Sequence, residues 1–253
     1  MADFLINVTS SDDGVVTVEF GRGKHNYFTA DLVRALAGTL RDLSLAGARA
    51  AVLCSGGRNF CAGADFTTSP DGVTDLTGLY EAAVGLVEQP LPIVAAVQGA
   101  AVGGGMGLAL AADFRVADPT TRFIPNFGRI GLHHGFGLTA TLPAAVGHQK
   151  ALRYLSLGTA IDGGQAVADN LCDRLAPEGE LRPAAHALAA ELASSAPLAL
   201  QAIRRTMRRS CVEEMRAAVA AEQREQEILF RTADFSEGVR AARERRQPKF
   251  VGR

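Results

Sequence analysis

The sequence predicts an α/β fold in which a parallel sheet is wound by helical crossovers. Short apolar runs that suit buried strands alternate with helical patterns through the first half of the chain. From about residue 137 the pattern is almost wholly helical, with long amphipathic stretches between 181 and 246. The 253 residues suffice for one large domain or a domain plus an extension. We therefore expect a core over residues 1–197 and a C-terminal helical region over 198–253.

The individual elements follow from local patterns. Asp13-Gly14 is a hairpin signal between two apolar alternating runs, and leucines recur at helical spacing soon after it. Near the other end, Asp234 and Glu237 have the spacing of a capping box that opens the last helix. The predicted strands cover residues 4–8, 15–20, 49–55, 93–97 and 114–118, and the predicted helices in the same half cover 29–45, 73–88 and 104–112.

Composition narrows the function classes. The formal net charge of −1 provides no long-range attraction to nucleic acid or to an anionic membrane surface. The four cysteines form no CxxC pair and show no metal-ligand spacing with histidine, which indicates free thiols in a reducing cytoplasm and no metal site. The first residues lack the basic and apolar regions of a signal peptide. We expect a cytoplasmic protein with neither nucleic-acid nor membrane partners.

A glycine-rich apolar stretch, QGAAVGGGMGLALAADF over residues 98–114, allows three interpretations. A membrane span is disfavoured because Pro92, Gln98 and five glycines interrupt the 22 uncharged residues from 91 to 112. A phosphate cradle would need GxxxxGK[ST] or GxGxxG, and neither is present. A backbone that a ligand approaches closely fits best, because glycine leaves a backbone N–H unobstructed.

Two glycine-rich turns can together form an oxyanion hole. CAGAD at 61–65 and VGGGM at 102–106 each follow a predicted strand, and both can aim N–H groups at one oxygen. One such donor contributes about 2.7–4 kcal/mol of transition-state stabilisation.

The chain resembles the crotonase superfamily, represented by enoyl-CoA hydratase. The resemblance is carried by GRNFCAGADF, by PIVAAVQGAAVGGGMGLALAADFRVAD some 35 residues later, and by RFIPNFGRIGLHHGFGLTATLPAAVG. It continues through ALRYLSLGTAIDGGQAVADNLCDRL to DFSEGVRAARERRQPKFVGR, and so covers essentially the whole chain. The resemblance implies a crotonase-like spiral of repeated ββα units, a C-terminal helical trimerisation region, and homotrimers or dimers of trimers.

The same resemblance implies a substrate and the residues that hold it. The substrate would be an acyl-CoA thioester, with no cofactor beyond the coenzyme A that it carries. The N–H groups of Ala64 and Gly104 would hold the thioester carbonyl oxygen. The residues expected to lie along coenzyme A are Arg22 and Lys24 near its phosphates, and Ala62, Asp65 and Phe66 along its adenine and pantetheine. It is equally consistent with the sequence that Arg22 and Lys24 are solvated surface side chains that bind no ligand.

The sequence departs from the hydratases of this family at two positions. Hydratases use two glutamates, and the matching positions here are Gly107 and Asn126. Glycine offers no side chain, and asparagine can hold a water molecule but cannot accept its proton. Each acid–base group contributes about 10²–10⁴-fold to rate, so standard hydration is disfavoured.

His133 and His134 are the titratable substitutes nearby, where family members often carry a proline and an acidic or small residue. A histidine titrates near neutral pH and can shuttle a proton or activate water. The loop precedes a predicted helix, whose positive dipole would lower the histidine pKa. A structural hydrogen-bonding role is the alternative for this pair.

Other candidates have structural interpretations. Asp113 matches a position that is usually structural in the family, and RRTMRR at 204–209 is expected to be a solvated helix face rather than an RNA-binding patch. Phe230 and Phe250 are expected to pack against the core or a neighbouring subunit.

Two functional hypotheses remain. The first is an acyl-CoA enzyme that stabilises a thioester enolate and carries out isomerisation or histidine-assisted chemistry. The second is a non-catalytic acyl-CoA-binding homologue.

Overall fold

The computed structural model describes residues 3–64 and 75–253, which form a large sheet, a small sheet and nine α-helices. The strands are β1 Leu5–Ser10, β2 Val15–Gly21, β3 Ala50–Ser55, β4 Ile93–Val97, β5 Ala100–Val102, β6 Phe114–Ala117, β7 Arg122–Ile124, β8 Ile161–Asp162 and β9 Arg174–Leu175. The helices are α1 Ala30–Leu45, α2 Leu76–Val87, α3 Gly104–Leu110, α4 Leu138–Val146, α5 His148–Leu157, α6 Gly163–Ala168, α7 Leu181–Ala193, α8 Pro197–Leu229 and α9 Ala233–Glu244. A 3-10 turn covers Gly128–Ile130.

The large sheet has six strands in the order β1-β2-β3-β4-β6-β9. β1 and β2 form the predicted antiparallel hairpin, and every later pair in this sheet is parallel. The small sheet has the order β5-β7-β8. After β4 the chain turns at Gly99, adds β5 to the small sheet and enters α3, which is one ββα unit. The α/β prediction is confirmed.

The first helix shows how the sequence specifies these elements. The Thr29 hydroxyl accepts a hydrogen bond from the Leu32 N–H and so caps α1. Leu32, Leu36 and Leu40 are fully buried against the sheet. β3 is buried along its whole length, since helices cover both faces of the sheet. The short strands β5, β7, β8 and β9 could not be predicted from the sequence, because two or three residues are too few to show the alternation of apolar and polar side chains.

The predicted capping box at the start of α9 is wrong. The cap is Thr232, whose hydroxyl accepts from the Phe235 N–H at 3.1 Å. The Asp234 carboxylate instead accepts from the Val251 N–H at 2.6 Å, and Glu237 forms an ion pair with Arg246. The helix begins one residue before Asp234, and both carboxylates hold the C-terminal segment against it.

The expectation of a solvated RRTMRR face is wrong for two of its arginines. The Asp113 carboxylate pairs with Arg204 at 2.8 Å and with Arg208 at 2.6 Å, and it accepts from the Ile93 N–H at 2.8 Å. Burial would raise the pKa of Asp113, but the two arginines hold that pKa below its ordinary value. Asp113 is therefore structural, as expected, and ties α8 to the start of β4.

Helix α8 is 33 residues long and packs against α2 and α4. It begins at Pro197, one residue before the predicted C-terminal region of 198–253. The division of the chain into two separate units stays a prediction. Among the described residues, no helix combines the length and hydropathy that a membrane span requires.

Candidate active site

The two glycine loops are joined by main-chain hydrogen bonds. The Cys61 N–H donates to the Ala100 carbonyl at 3.1 Å, and the Val102 N–H donates to the Cys61 carbonyl at 2.9 Å. Gly63 has a φ of +83°, and a Cβ there would lie 2.7 Å from the Val102 carbonyl oxygen. Glycine is required at this position by both its conformation and its close contact.

The N–H groups of Ala64 and Gly104 belong to these loops, and both residues line one cavity. A Cβ on Gly63 would lie 3.7 Å from the Gly104 nitrogen, which brings the loops within contact distance. Within residues 3–64 and 75–253, no hydrogen bond uses either N–H group. Two unused donors therefore lie on the wall of the same cavity.

The cavity has a volume of about 370 Å³. Its wall is mainly apolar, with contributions from β7–α4 connections, from α2 and from the two C-terminal helices. The larger apolar side chains are Phe28, Leu76, Leu79, Phe127, Ile130, Leu132, Phe136, Phe230 and Val239. Such a wall suits an acyl chain better than a sugar or a nucleotide. Phe230, which was expected to pack against the core or a neighbouring subunit, lines the cavity, and its ring packs against Phe235.

An aromatic side chain fills the space beside Gly107. A Cβ on Gly107 would lie 2.7 Å from the Phe136 Cβ and 2.9 Å from its ring. Phe136 adopts a φ of +64°, a conformation that is uncommon for a bulky residue. Its ring also packs against Phe28 at a centroid distance of 5.4 Å. Gly107, which the resemblance matches to the first hydratase glutamate, therefore has a phenyl ring where a side chain would extend.

Asn126 lies on the cavity wall, as expected. Its Oδ1 would be 3.5 Å from a Cβ on Gly103, next to the second glycine loop. Within the described part of the chain its carboxamide makes no hydrogen bond, so it is available to a ligand or to water.

The structure does not bring His133 or His134 to the cavity. His133 Nδ1 bonds the His134 carbonyl at 2.7 Å, and His134 Nε2 bonds the Thr139 hydroxyl at 2.8 Å. That hydroxyl donates to the buried Glu222 at 2.6 Å, so its oxygen accepts from His134. Neither imidazole is part of the described cavity wall, and a catalytic role for the pair stays a prediction without geometric support.

The pKa of His134 is lowered to about 4, in the predicted direction but for another main reason. Burial of the ring disfavours the cation, and repulsion from His133 adds to the effect. The ring is therefore neutral at physiological pH and acts as a hydrogen-bond donor to Thr139.

Sequence analysis missed a polar pair in the cavity wall. The Tyr80 hydroxyl donates to Gln226 Oε1 at 3.0 Å, and Gln226 Nε2 donates to the His133 carbonyl at 2.9 Å. Both side chains line the cavity and are buried. Tyr80 lies on α2 and Gln226 on α8, so no local motif could have linked them.

The expected coenzyme A contacts are only partly assembled in the described residues. Ala62 lines the cavity, and its N–H donates to the His25 carbonyl, which holds the loop with Lys24 beside the site. Arg22 forms an ion pair with Asp3 at 2.6 Å, and Lys24 is exposed. Their contacts with phosphate stay predictions, while Asp65 and Phe66 lie outside the described residues.

Comparison with known proteins identifies the family of this chain. A family model described as enoyl-CoA hydratase/isomerase matches residues 10–253. A Rhodobacter capsulatus protein named "Probable enoyl-CoA hydratase" is 36% identical over 81% of this chain and 82% of its own. The 1,2-epoxyphenylacetyl-CoA isomerase of Escherichia coli is 28% identical over the full length of both chains.

The fold is also shared with a solved structure. The crystal structure of an enoyl-CoA hydratase from Mycobacterium avium subsp. paratuberculosis superposes with a TM-score of 0.84, at 28% identity, over 97% of this chain and 98% of that one. The family model and the structural match each cover nearly the whole chain. This protein therefore belongs to the enoyl-CoA hydratase/isomerase family of the crotonase superfamily.

Proposed function

We propose that the protein binds an acyl-CoA thioester in the cavity and polarises its carbonyl oxygen with the N–H groups of Ala64 and Gly104. The observation that carries this function is the pair of unused donors on one wall of an apolar cavity. Polarisation of the carbonyl acidifies the adjacent carbon atom and stabilises the enolate that forms when a proton leaves it.

Isomerisation by way of that enolate fits the cavity better than hydration by two glutamates. Hydration needs a carboxylate that takes a proton from water, and the two matching positions hold Gly107 and Asn126. The Phe136 ring beside Gly107 also leaves little space there for an ordered water molecule. Isomerisation takes up no water and needs one group that accepts a proton from one carbon atom of the bound acyl group and returns it to another, a role for which the sequence offers His133 and His134.

A second candidate function is acyl-CoA binding without turnover. One observation favours it: in the described part of the chain, no aspartate, glutamate or histidine lines the cavity. A protein of this kind would retain the oxyanion hole for affinity alone.

An NMR time course with a medium-chain 2-enoyl-CoA at near-stoichiometric protein distinguishes these functions. New vinyl signals would identify isomerisation, which we expect. A 3-hydroxyacyl product would identify hydration, and free coenzyme A would identify hydrolysis. Broadened ligand signals without product would favour the binding protein, and sharp, unchanged signals would contradict acyl-CoA binding altogether.

Gly104 offers a matched pair of variants for the oxyanion hole. Gly104→Pro removes the N–H, whereas Gly104→Ala keeps it, and both place a Cβ about 2.5 Å from the Phe28 ring. We expect Gly104→Pro to turn over about 10²–10³-fold more slowly than Gly104→Ala, the loss typical of one oxyanion donor. If the protein binds acyl-CoA without turnover, the two variants are compared by their Kd for acyl-CoA, and Gly104→Pro should bind more weakly than Gly104→Ala. Equal behaviour of the two variants would contradict the assignment of this donor.

We further infer assembly as a homotrimer or a dimer of trimers through α8. Ile203 and Met207 on this helix are 59% and 74% exposed, next to a groove with apolar walls. Light scattering coupled to gel filtration measures the assembly, and a monomer would contradict it. The four free thiols support the expectation of a reducing, cytoplasmic setting.

A further inference from the structure

We propose that Tyr80 and Gln226 select the substrate: they favour acyl groups that carry an oxygen acceptor several atoms beyond the thioester carbonyl. The ligand is the acyl-CoA of the proposed function, so this assignment rests on that function. It adds a substrate class, namely oxo, hydroxy or ether acyl thioesters in preference to plain alkyl ones.

The pair is held rigidly at the cavity wall. Tyr80 is 3% exposed and Gln226 is 6% exposed, and they belong to helices that pack against each other. Gly135 opens the wall in front of them, because a Cβ there would lie 2.7 Å from Gln226 Nε2 and in collision with the Tyr80 hydroxyl. A ligand in the cavity can therefore reach atoms that any other residue at position 135 would displace.

The hydrogen bonds fix the orientation of the Gln226 amide. Its nitrogen must face the His133 carbonyl, which can only accept, so its oxygen faces the Tyr80 hydroxyl. The nitrogen carries two protons and uses one of them. No other partner for this amide exists within residues 3–64 and 75–253, so one N–H donor remains for a ligand.

The pair does not provide a negative charge. Burial and the nearby Glu222 raise the pKa of Tyr80, so its phenol stays neutral. A neutral amide donor recognises a neutral oxygen acceptor and offers nothing to a cation.

Phe136 sets the distance from the thioester. Its ring lies 3.7 Å from the position of a Cβ on Gly104, and its backbone N–H faces the Tyr80 oxygen. Phe136 and the adjacent Gly135 thus contact both the second glycine loop and the polar pair. The recognised oxygen belongs on the chain beyond the reacting carbon atoms.

An alkyl chain in the same position would cover the amide without bonding it. A buried donor that loses water and gains no partner weakens binding, whereas an acceptor on the ligand restores the hydrogen bond. We expect a preference of about tenfold in Kd for the oxygenated ligand, which corresponds to one ordinary hydrogen bond.

Calorimetric titration with hexanoyl-CoA and its 4-oxo and 5-oxo analogues tests the assignment. The three ligands share the coenzyme A part and the chain length, so their ratio of Kd values reports the acyl contact alone. This ratio does not change if part of a variant preparation is unfolded. We expect at least one oxo analogue to bind wild-type protein about tenfold more tightly than hexanoyl-CoA.

Variants attribute the preference to the pair. Gln226→Leu removes the donor and Tyr80→Phe removes the hydroxyl that orients it, and we expect each to reduce the preference to twofold or less. Tyr154→Phe is the matched control, since Tyr154 is a buried tyrosine bonded to Asp169 outside the described cavity wall. It should keep the tenfold ratio.

The outcomes separate the two proposals. Equal affinity of wild-type protein for all three ligands, or a preference that survives both variants, would overturn the role of the pair while leaving acyl-CoA binding intact. Absence of binding for all three ligands would overturn acyl-CoA binding itself, and this assignment with it.

Discussion

The segment from Gly131 to Thr139 has two faces with opposite chemistry. Its cavity face presents Leu132, Gly135 and Phe136, none of which titrates. Its rear face consists of His133, His134 and Thr139, which are linked by hydrogen bonds to Glu222 on α8. Titratable residues in a functional stretch of sequence therefore need not face the ligand, because adjacent residues in a loop can point in opposite directions.

The rear face has a structural task. Glu222 is fully buried and accepts hydrogen bonds from the Gly137 N–H at 2.8 Å and from the Thr139 N–H at 2.9 Å. These are donors at the start of α4 that the helix itself cannot satisfy. The carboxylate thus fixes the backbone that carries Gly135 and Phe136 into the cavity.

Of the variants that test this difference between the two faces, removal of the Glu222 carboxylate should lower the stability most. Glu222→Ala removes the acceptor of three hydrogen bonds, of which that from the Gly137 N–H is buried, so we expect the free energy of unfolding to fall by about 3 kcal/mol. Urea denaturation measures the change. The matched control is Glu225→Ala, an exposed glutamate on the same helix, which should change stability by about 0.5 kcal/mol or less. Equal losses in the two variants would show that the rear face is not structural.

The pH dependence of stability sharpens the same point. The pKa of His134 is about 4 in the folded protein, below its ordinary value of 6.5, because burial disfavours the cation. The unfolded chain therefore takes up the proton first as pH falls. The stability that the folded protein gains from holding His134 neutral is complete above pH 6.5 and is lost as the pH falls from about 6.5 to 4.

We expect wild-type protein to lose on the order of 2 kcal/mol more than His134→Gln across that interval. Burial raises the pKa of Glu222, which gives a slope of opposite sign, but this glutamate is present in both proteins. Chemical denaturation at a series of pH values gives the two curves. Parallel curves would contradict the buried, neutral state of the imidazole.

A small side chain introduced beside Phe136 should cost less. Gly107→Ala places a Cβ 2.7 Å from the Phe136 Cβ, so we expect a loss of about 1.5 kcal/mol from overpacking. The loss should shrink when Phe136→Gly supplies the background, because the two sites share one space. A double-mutant cycle in urea measures the coupling. A loss that is the same in both backgrounds would mean that Phe136 does not occupy the space beside Gly107.

The smallest expected effect is that of His133→Ala. This imidazole bonds the His134 carbonyl and does not line the described cavity, so turnover or acyl-CoA affinity should stay within about threefold of wild type. Loss of a general acid or base would instead cost about 10²–10⁴-fold. A loss of that size would restore the histidine mechanism that the sequence suggests.

The meeting of the two glycine loops could be predicted because each loop has a local sequence signal. Two glycine-rich turns after buried strands are visible in the sequence, and the structure brings Ala64 and Gly104 to one cavity. The inner end could not be predicted, because Tyr80 and Gln226 are 146 residues apart and meet only when α2 packs on α8. The role of Arg204 could not be predicted for the same reason, since its partner Asp113 lies 91 residues earlier in the chain.

Helix α8 has an evolutionary consequence of its own. This one continuous helix carries Glu222, which anchors the loop behind the cavity, and Gln226 one turn later, which lines the cavity. The glycine loops that carry the proposed oxyanion donors lie outside this helix. Recombination between related chains at the two ends of α8 would exchange Gln226 together with Glu222 and leave both glycine loops unchanged. In this architecture, a residue of the inner cavity wall and the loop anchor behind it can be inherited separately from the glycine loops.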